Sequence, residues 1–210
     1  MSKVLEQLQW RYATKKFDTE RKLAADQIST LKSAFDLTAT SFGLQPLKLM
    51  IVADDKLKAS LIQHSYNQQM VGDCSHLLVF CIEPGVDENY IRDHFNLIEE
   101  VRKTSRDILN PYQDYLIQHF KDKPSDEVDD WMTKQAYLAM GNLLTVCAME
   151  EIDACPMEGF DPKQYDQLLG LKEKGLRSVL VMPVGYRDQD DFFSQLRKVR
   201  RGVDQVVIEV

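Results

Sequence analysis

The chain has 210 residues, 44% of them hydrophobic, and carries 33 acidic against 26 basic side chains for a formal charge of −7. That length and apolar content suit one large domain with its own core, while the negative balance repels polyphosphate and argues against a general nucleic-acid or anionic-membrane role. No apolar run approaches the roughly 18 residues of a spanning helix, and the N-terminal MSKVLEQLQWRYATKKFD has no apolar signal core, so a cytoplasmic protein is expected. Cys74, Cys81, Cys147 and Cys155 form no C-x-x-C pair. Buried thiols are therefore expected, with no disulfide frame and no metal.

In chain order, Val4, Leu5 and Leu8 share a helical face, and the cationic R-Y-A-T-K-K-F follows as a loop where that spacing fails. Ile28, Leu31 and Phe35 mark a second helix, ended by T-A-T-S-F-G-L-Q-P before a strand at 47–53. Asp54 or Asp55 can cap a helix carrying Leu57 and Leu61. The run at 76–83 is apolar on both parities, the pattern of a strand covered on both faces. Residues 87–123 read as a helical excursion rich in aromatics, including Tyr90, Phe95, Tyr112, Tyr115 and Phe120.

A helix starts near Ser125 with acids in its first turn, and residues 136–149 are apolar almost all round. Its small residues, Ala136, Ala139, Gly141 and Ala148, suit close packing in a core or at a subunit interface. A short helix at 161–169, a second covered strand in S-V-L-V-M-P-V-G-Y and a terminal strand V-V-I-E-V without a hairpin partner complete the chain. The expected architecture is a single α+β domain over 1–210, a central sheet wrapped by helices.

Several chemistries are missing. There is no G-x-G-x-x-G, and G-L-K-E-K-G at 170–175 continues Leu-Arg where a phosphate-binding loop needs Lys and a hydroxyl. His64, His76, His94 and His119 form no H-E-x-x-H, and His76, opening a buried strand, reads as a hydrogen-bonded core histidine. G-x-S-x-G is absent too, so a bound cofactor is the expected carrier of any hard chemistry. Arg197, Lys198, Arg200 and Arg201 crowd around Val199 on an otherwise acidic protein. Such a run can be a nucleic-acid patch, a solvated face or half of a site for a compact anion. R-Y-A-T-K at 11–15 could supply the other half, meeting it at one phosphate dianion, while glycine-bearing loops let backbone N–H groups approach a polar ring.

R-Y-A-T-K-K-F-D, S-F-G-L-Q-P, S-Y-N-Q-Q, P-M-E-G-F-D, the late K-x-R and W-M-T-K-Q-A-Y-L-A-M-G-N together resemble the nitroreductase family over essentially the whole chain, with closest similarity to oxygen-insensitive NAD(P)H nitroreductases and dihydropteridine reductases. The resemblance implies an α+β sandwich with a mainly antiparallel sheet, an intertwined homodimer, and FMN held at the subunit interface. It implies phosphate contacts from Arg11, Lys198 and Arg200, with Tyr12 and Ala13 in the same loop, and leaves Arg197 and Arg201 flanking and solvated. Lys15 is implied beside the N1/O2 edge of the flavin, Asn67 on its pyrimidine side, and backbone N–H groups of the Pro156, Met157, Glu158, Gly159 loop near N5. Thr40, Ser41 and Gly43 are implied to come from the partner subunit. Ala13 replaces a hydroxyl, Met70 a Lys or Gln, and Leu47 an aromatic found in relatives. The implied activity is two-electron ping-pong transfer from NADH or NADPH to nitroaromatic, quinone or pteridine-like acceptors, with Lys15 and Glu158 as the residues nearest the chemistry. The alternative is a non-catalytic FMN-binding or interaction protein that keeps the dimer.

Overall fold

The computed structural model describes residues 2–83 and 85–210. Helix α1 (Lys3–Trp10) is capped by Ser2, whose hydroxyl accepts from Leu5 N, and α2 (Ala25–Asp36) opens with the Gln27 side chain folded back onto Ala24 N. Strand β1 (Leu47–Val52) leads to α3 (Asp55–Leu61), where Asp54 is the cap and accepts from Leu57 N at 2.7 Å. A single turn, α4 (Met70–Asp73), precedes β2 (His76–Ile82). The excursion forms two helices, α5 (Glu88–Arg102) and α6 (Arg106–Lys121), and α7 (Ser125–Met149) follows with Asp126 and Glu127 in its first turn. Strand β3 (Asp153–Ala154), α8 (Pro162–Leu168, capped by Asp161), β4 (Arg177–Gly185) and a terminal turn α9 (Val203–Val206) complete the order.

The sheet runs β1-β2-β4-β3 with every pair antiparallel. Alternation along β2 divides its side chains between two cores: Leu78, Phe80 and Ile82 pack beneath α2, α5, α6 and α7, and Leu77, Val79 and Cys81 pack with α3, α4 and α8. Burying each such side chain is worth about 1.5–3 kcal/mol. This explains why the run is apolar on both parities. The four cysteines are free and buried, as expected. His76 is half-buried and bonded through Nδ1 to Ser75 Oγ at 2.9 Å.

Two expectations change. The terminal V-V-I-E-V is not a strand: Val203–Val206 form a helical turn and 207–210 continue without a ladder, exposed throughout. Among the described residues no strand lies alongside to hold it extended, and Gly202 at φ 97° starts a turn instead. Helix α7 is not buried all round either, because Tyr137 and Leu138 are 45% and 55% exposed and a Cβ built on Gly141 meets nothing within 4 Å. One stripe of it faces outward on the single chain.

The edge of the sheet brings two candidate segments together. Cys155 N and Met157 N donate to Pro183 O and Val181 O, so the chain beyond β3 stays on β4 as far as Met157. Ala13 bridges in parallel to Ala154, which lays R-Y-A-T-K beside the start of P-M-E-G-F.

Candidate active site

The R-Y-A-T-K loop is fixed from behind by two buried carboxylates. Asp153 accepts from Arg187 N and Nε, each at 2.8 Å, and Arg187 is held between the rings of Trp10 and Tyr12, 4.2 and 4.7 Å from their centroids. Arg187 Nη2 also lies 2.6 Å from Asp153 Oδ1, at an angle that leaves its N–H unbonded, so that contact is an ion pair only. Asp191 takes Tyr12 OH and Lys15 N, each at 2.8 Å, and Lys16 N at 3.1 Å.

In front of the loop lies a cavity of about 410 Å³ walled by Arg11, Tyr12, Ala13, Lys15, Pro156, Phe193, Leu196, Arg197, Lys198 and Arg200. Five of these ten residues are cations and none is an acid. Among the described residues none of the five has a salt-bridge partner. Burial first, then the neighbouring Arg200, holds the Arg11 guanidinium below its ordinary range, and burial, Arg11 and Arg200 do the same to Lys198. Cations that depress one another without a carboxylate in the wall fit a multiply charged anion. The N-terminal and C-terminal halves predicted from sequence therefore meet. Arg197, expected to be flanking and solvated, is exposed and lines the cavity as well. Lys198 also braces the loop's entry: its Nζ donates to Gln9 O at 2.8 Å and to Arg11 O, capping the last carbonyls of α1.

Lys15 is exposed, and its Nζ donates to Cys155 Sγ at 3.4 Å. Burial pushes the Cys155 thiol up, and Lys15 opposes that shift. Pro156 belongs both to the cationic cavity and to a neighbouring one of about 430 Å³, lined mostly by apolar residues of α7 and by Met157 and Glu158. The Glu158 carboxylate accepts from Tyr137 OH at 2.6 Å, which turns the side chain onto α7. The backbone N–H groups of Glu158 and Gly159 have no acceptor among the described residues. Gly159 O in turn accepts from Gln68 Nε2 at 2.9 Å, and the same nitrogen reaches Ser65 O, so Gln68 ties the Asn67 turn to this loop. Tyr66 and Asn67 are both left-handed, with φ of 52° and 58°.

Thr40, Ser41 and Gly43 are not brought to this cavity by their own chain. Thr40 lines a separate small cleft with Asp36, Gln45 and Lys48, and Ser41 N donates to Gln135 Oε1. Met70 is buried, in the core that holds Leu61 of α3 and Tyr165 of α8. Sequence reasoning missed Asp191, Asp153 with Arg187, Gln68 and Tyr137. Asp191 sits in R-D-Q-D-D-F-F, where nothing local separates it from its solvated neighbours.

Residues 8–186 match the Nitroreductase family. The oxygen-insensitive NAD(P)H nitroreductase of Salmonella typhimurium is 30% identical over 208 residues, 95% of this chain and 96% of that protein. Among solved structures, a nitroreductase-like protein from Streptococcus mutans superposes with a TM-score of 0.84 at 20% identity, covering 98% and 97% of the two chains. The NADPH:FMN oxidoreductase of Vibrio harveyi, solved with NAD+, gives 0.71 at 20% identity over 99% of this chain and 77% of that one. A four-stranded antiparallel sheet wrapped by helices, with a cationic cleft at its edge, defines an oxidoreductase of the nitroreductase class. The chain belongs to the nitroreductase family.

Proposed function

We propose that this chain is an FMN-dependent NAD(P)H oxidoreductase that works as a homodimer. The observation that carries the reading is a cleft wall with five cations and no acid, beside a P-M-E-G-F loop whose Glu158 and Gly159 N–H groups have no acceptor among the described residues. The Salmonella and Vibrio relatives, whose names include NAD(P)H and FMN, support it. Arg11, Lys198 and Arg200 would hold the phosphate dianion, with guanidinium forks matched to its oxygens. Tyr12 and Ala13 shape that end, and Ala13, with no hydroxyl to donate, leaves the cations as the phosphate's partners on this side.

When bound, FMN supplies the two-electron chemistry, taking hydride from NADH or NADPH and passing it to an acceptor. Lys15 offers a fixed positive charge to the ring edge that gains electron density, and the Glu158 and Gly159 N–H groups offer hydrogen bonds to a ring nitrogen. Glu158 acts through its backbone, because its carboxylate is engaged by Tyr137. Asn67 is held near this loop by Gln68 and serves the ring's polar edge. A second copy brings Thr40, Ser41 and Gly43 and covers the outward stripe of α7. Nitroaromatics, quinones and pteridine-like rings are the acceptor classes such an open cleft admits.

Among the described residues no helix is long and apolar enough to cross a membrane. We place the enzyme in the cytoplasm. The test is anaerobic addition of NADH or NADPH to the purified, FMN-loaded protein. Bleaching of the flavin band, reversed by a nitroaromatic or quinone, is the expected result. A flavin that stays oxidised with both nicotinamides would reduce the protein to a binder.

A further inference from the structure

Asp191 is the last buried residue of the chain, at 2% exposure, and 192–210 beyond it is exposed almost throughout. Its carboxylate accepts from the N-terminal loop, about 175 residues back in the chain, and from its own segment two residues on. Oδ2 takes Tyr12 OH, Lys15 N and Lys16 N, all in the N-terminal loop, and Oδ1 takes Phe193 N at 3.1 Å, the start of the C-terminal segment. Among the described residues no ammonium or guanidinium neutralises it: Lys16 Nζ turns instead to Asp188 at 3.2 Å and Asp190 at 3.7 Å. Burial works against its ionisation, but the Lys15 N–H, the Tyr12 hydroxyl and the Lys16 and Phe193 N–H groups hold the carboxyl below its usual range.

The cations of the cleft are divided between the same two segments. Arg11 and Lys15 belong to the loop, and Arg197, Lys198 and Arg200 to the 192–200 segment. Two guanidinium groups can grip one phosphate together only if their backbones are registered to within a fraction of an ångström. Lys198 supplies one tie between the segments, through Gln9 O and Arg11 O, but it lies in the exposed stretch. Upstream, Asp188 N donates to Lys16 O and Phe17 bridges to Arg187, and the carboxylate of buried Asp191 carries that tie forward to the turn that starts the 192–200 segment.

We infer that Asp191 is a positioning residue for the flavin site: it holds the two halves of the cation cradle in register, so that the phosphate is read by both at once. It touches neither phosphate nor ring, and its contribution passes through Arg11 and Arg200. This role rests on the flavin reading given under the proposed function.

Asp191→Asn is an informative change, because an amide can offer only one oxygen. With that oxygen toward Tyr12, Lys15 and Lys16, the amide nitrogen faces Phe193 N–H, and the cap that sets the direction of the 192–200 segment is lost while the loop stays bound. Affinities for FMN and for riboflavin, read by flavin fluorescence on apoprotein, separate the phosphate from the ring. Asp191→Asn is expected to weaken FMN about tenfold or more and riboflavin by no more than about twofold. In an Arg200→Ala background, where one half of the grip is already lost, the same change should add little. Equal losses of both flavins, or a loss of FMN that adds in full to that of Arg200→Ala, would overturn the inference and leave Asp191 a general stabilising residue.

If Asp191→Asn does not fold, Tyr12→Phe removes one bond to the carboxylate and keeps its charge. A smaller loss confined to FMN is then expected, and an unchanged ratio of FMN to riboflavin affinity counts against the inference. Wild-type protein that takes up neither flavin would overturn the flavin reading itself, a result distinct from wild type that binds FMN and variants that bind it equally well.

Discussion

Arg200 and Lys15 carry different kinds of prediction, because in the proposed site one would face a fixed charge and the other a charge that appears during turnover. Arg200→Ala should weaken FMN roughly 10- to 100-fold while leaving riboflavin nearly unaffected, the effect of losing charge-assisted hydrogen bonds to phosphate. Lys15→Met should retain FMN but lower its two-electron midpoint potential and slow reduction by NAD(P)H. The sign follows from the charge: a cation beside the ring attracts the more negative reduced form more strongly, so its removal disfavours reduction. A potentiometric titration checks this, and an unchanged midpoint would return Lys15 to the status of a solvated cation.

The thiols give a control at the same scale. Burial pushes Cys74, Cys81 and Cys147 up to about 12, so at pH 8 the native protein should resist alkylation at these positions and react only after denaturation. Cations were readable in the sequence because four in five residues stand out against a net negative chain. Asp191 was not, since its role depends on donors about 175 residues away and its own neighbourhood is a run of acids.

At the scale of elements, periodicity served well where burial was decided inside one chain. Strand β2 was visible because both of its faces meet a core, and α3 because Asp54 caps it just ahead of Leu57 and Leu61. It served poorly where an apolar pattern is not buried within the single chain. The apolar stripe Tyr137, Leu138, Gly141 and Leu144 gave α7 the pattern of a fully buried helix, and V-V-I-E-V the pattern of a strand, yet both lie open on a single subunit. The P-M-E-G-F loop offers an element-level test. A Cβ added at Gly159 would stand 3.1 Å from Gln68 Nε2 and 3.6 Å from the Tyr66 ring. Gly159→Ala should therefore push Gln68 off Gly159 O, loosen the Asn67 turn and slow flavin reduction while leaving the phosphate contacts intact. Stopped-flow reduction by NADPH alongside FMN affinity measures the two separately, and a normal rate would remove that loop from the proposed site.

For the whole molecule, exposed Val203, Val206, Val207 and Ile208 at the C-terminus and the open stripe of α7 are apolar surface that a lone subunit would leave in water. Removal of residues 204–210 should dissociate or destabilise the dimer and release FMN, as seen by light scattering with absorbance detection; a monomeric wild type with full flavin occupancy would contradict the dimer. In the proposed enzyme, two distant cationic segments build one phosphate site for FMN. Calorimetric titration of the wild-type apoprotein with FMN and, separately, with riboflavin tests it without any substitution. Saturable FMN binding, at least about tenfold tighter than riboflavin and weakening as salt rises, is the expected outcome. Equal affinity for the two flavins, insensitive to salt, would contradict it.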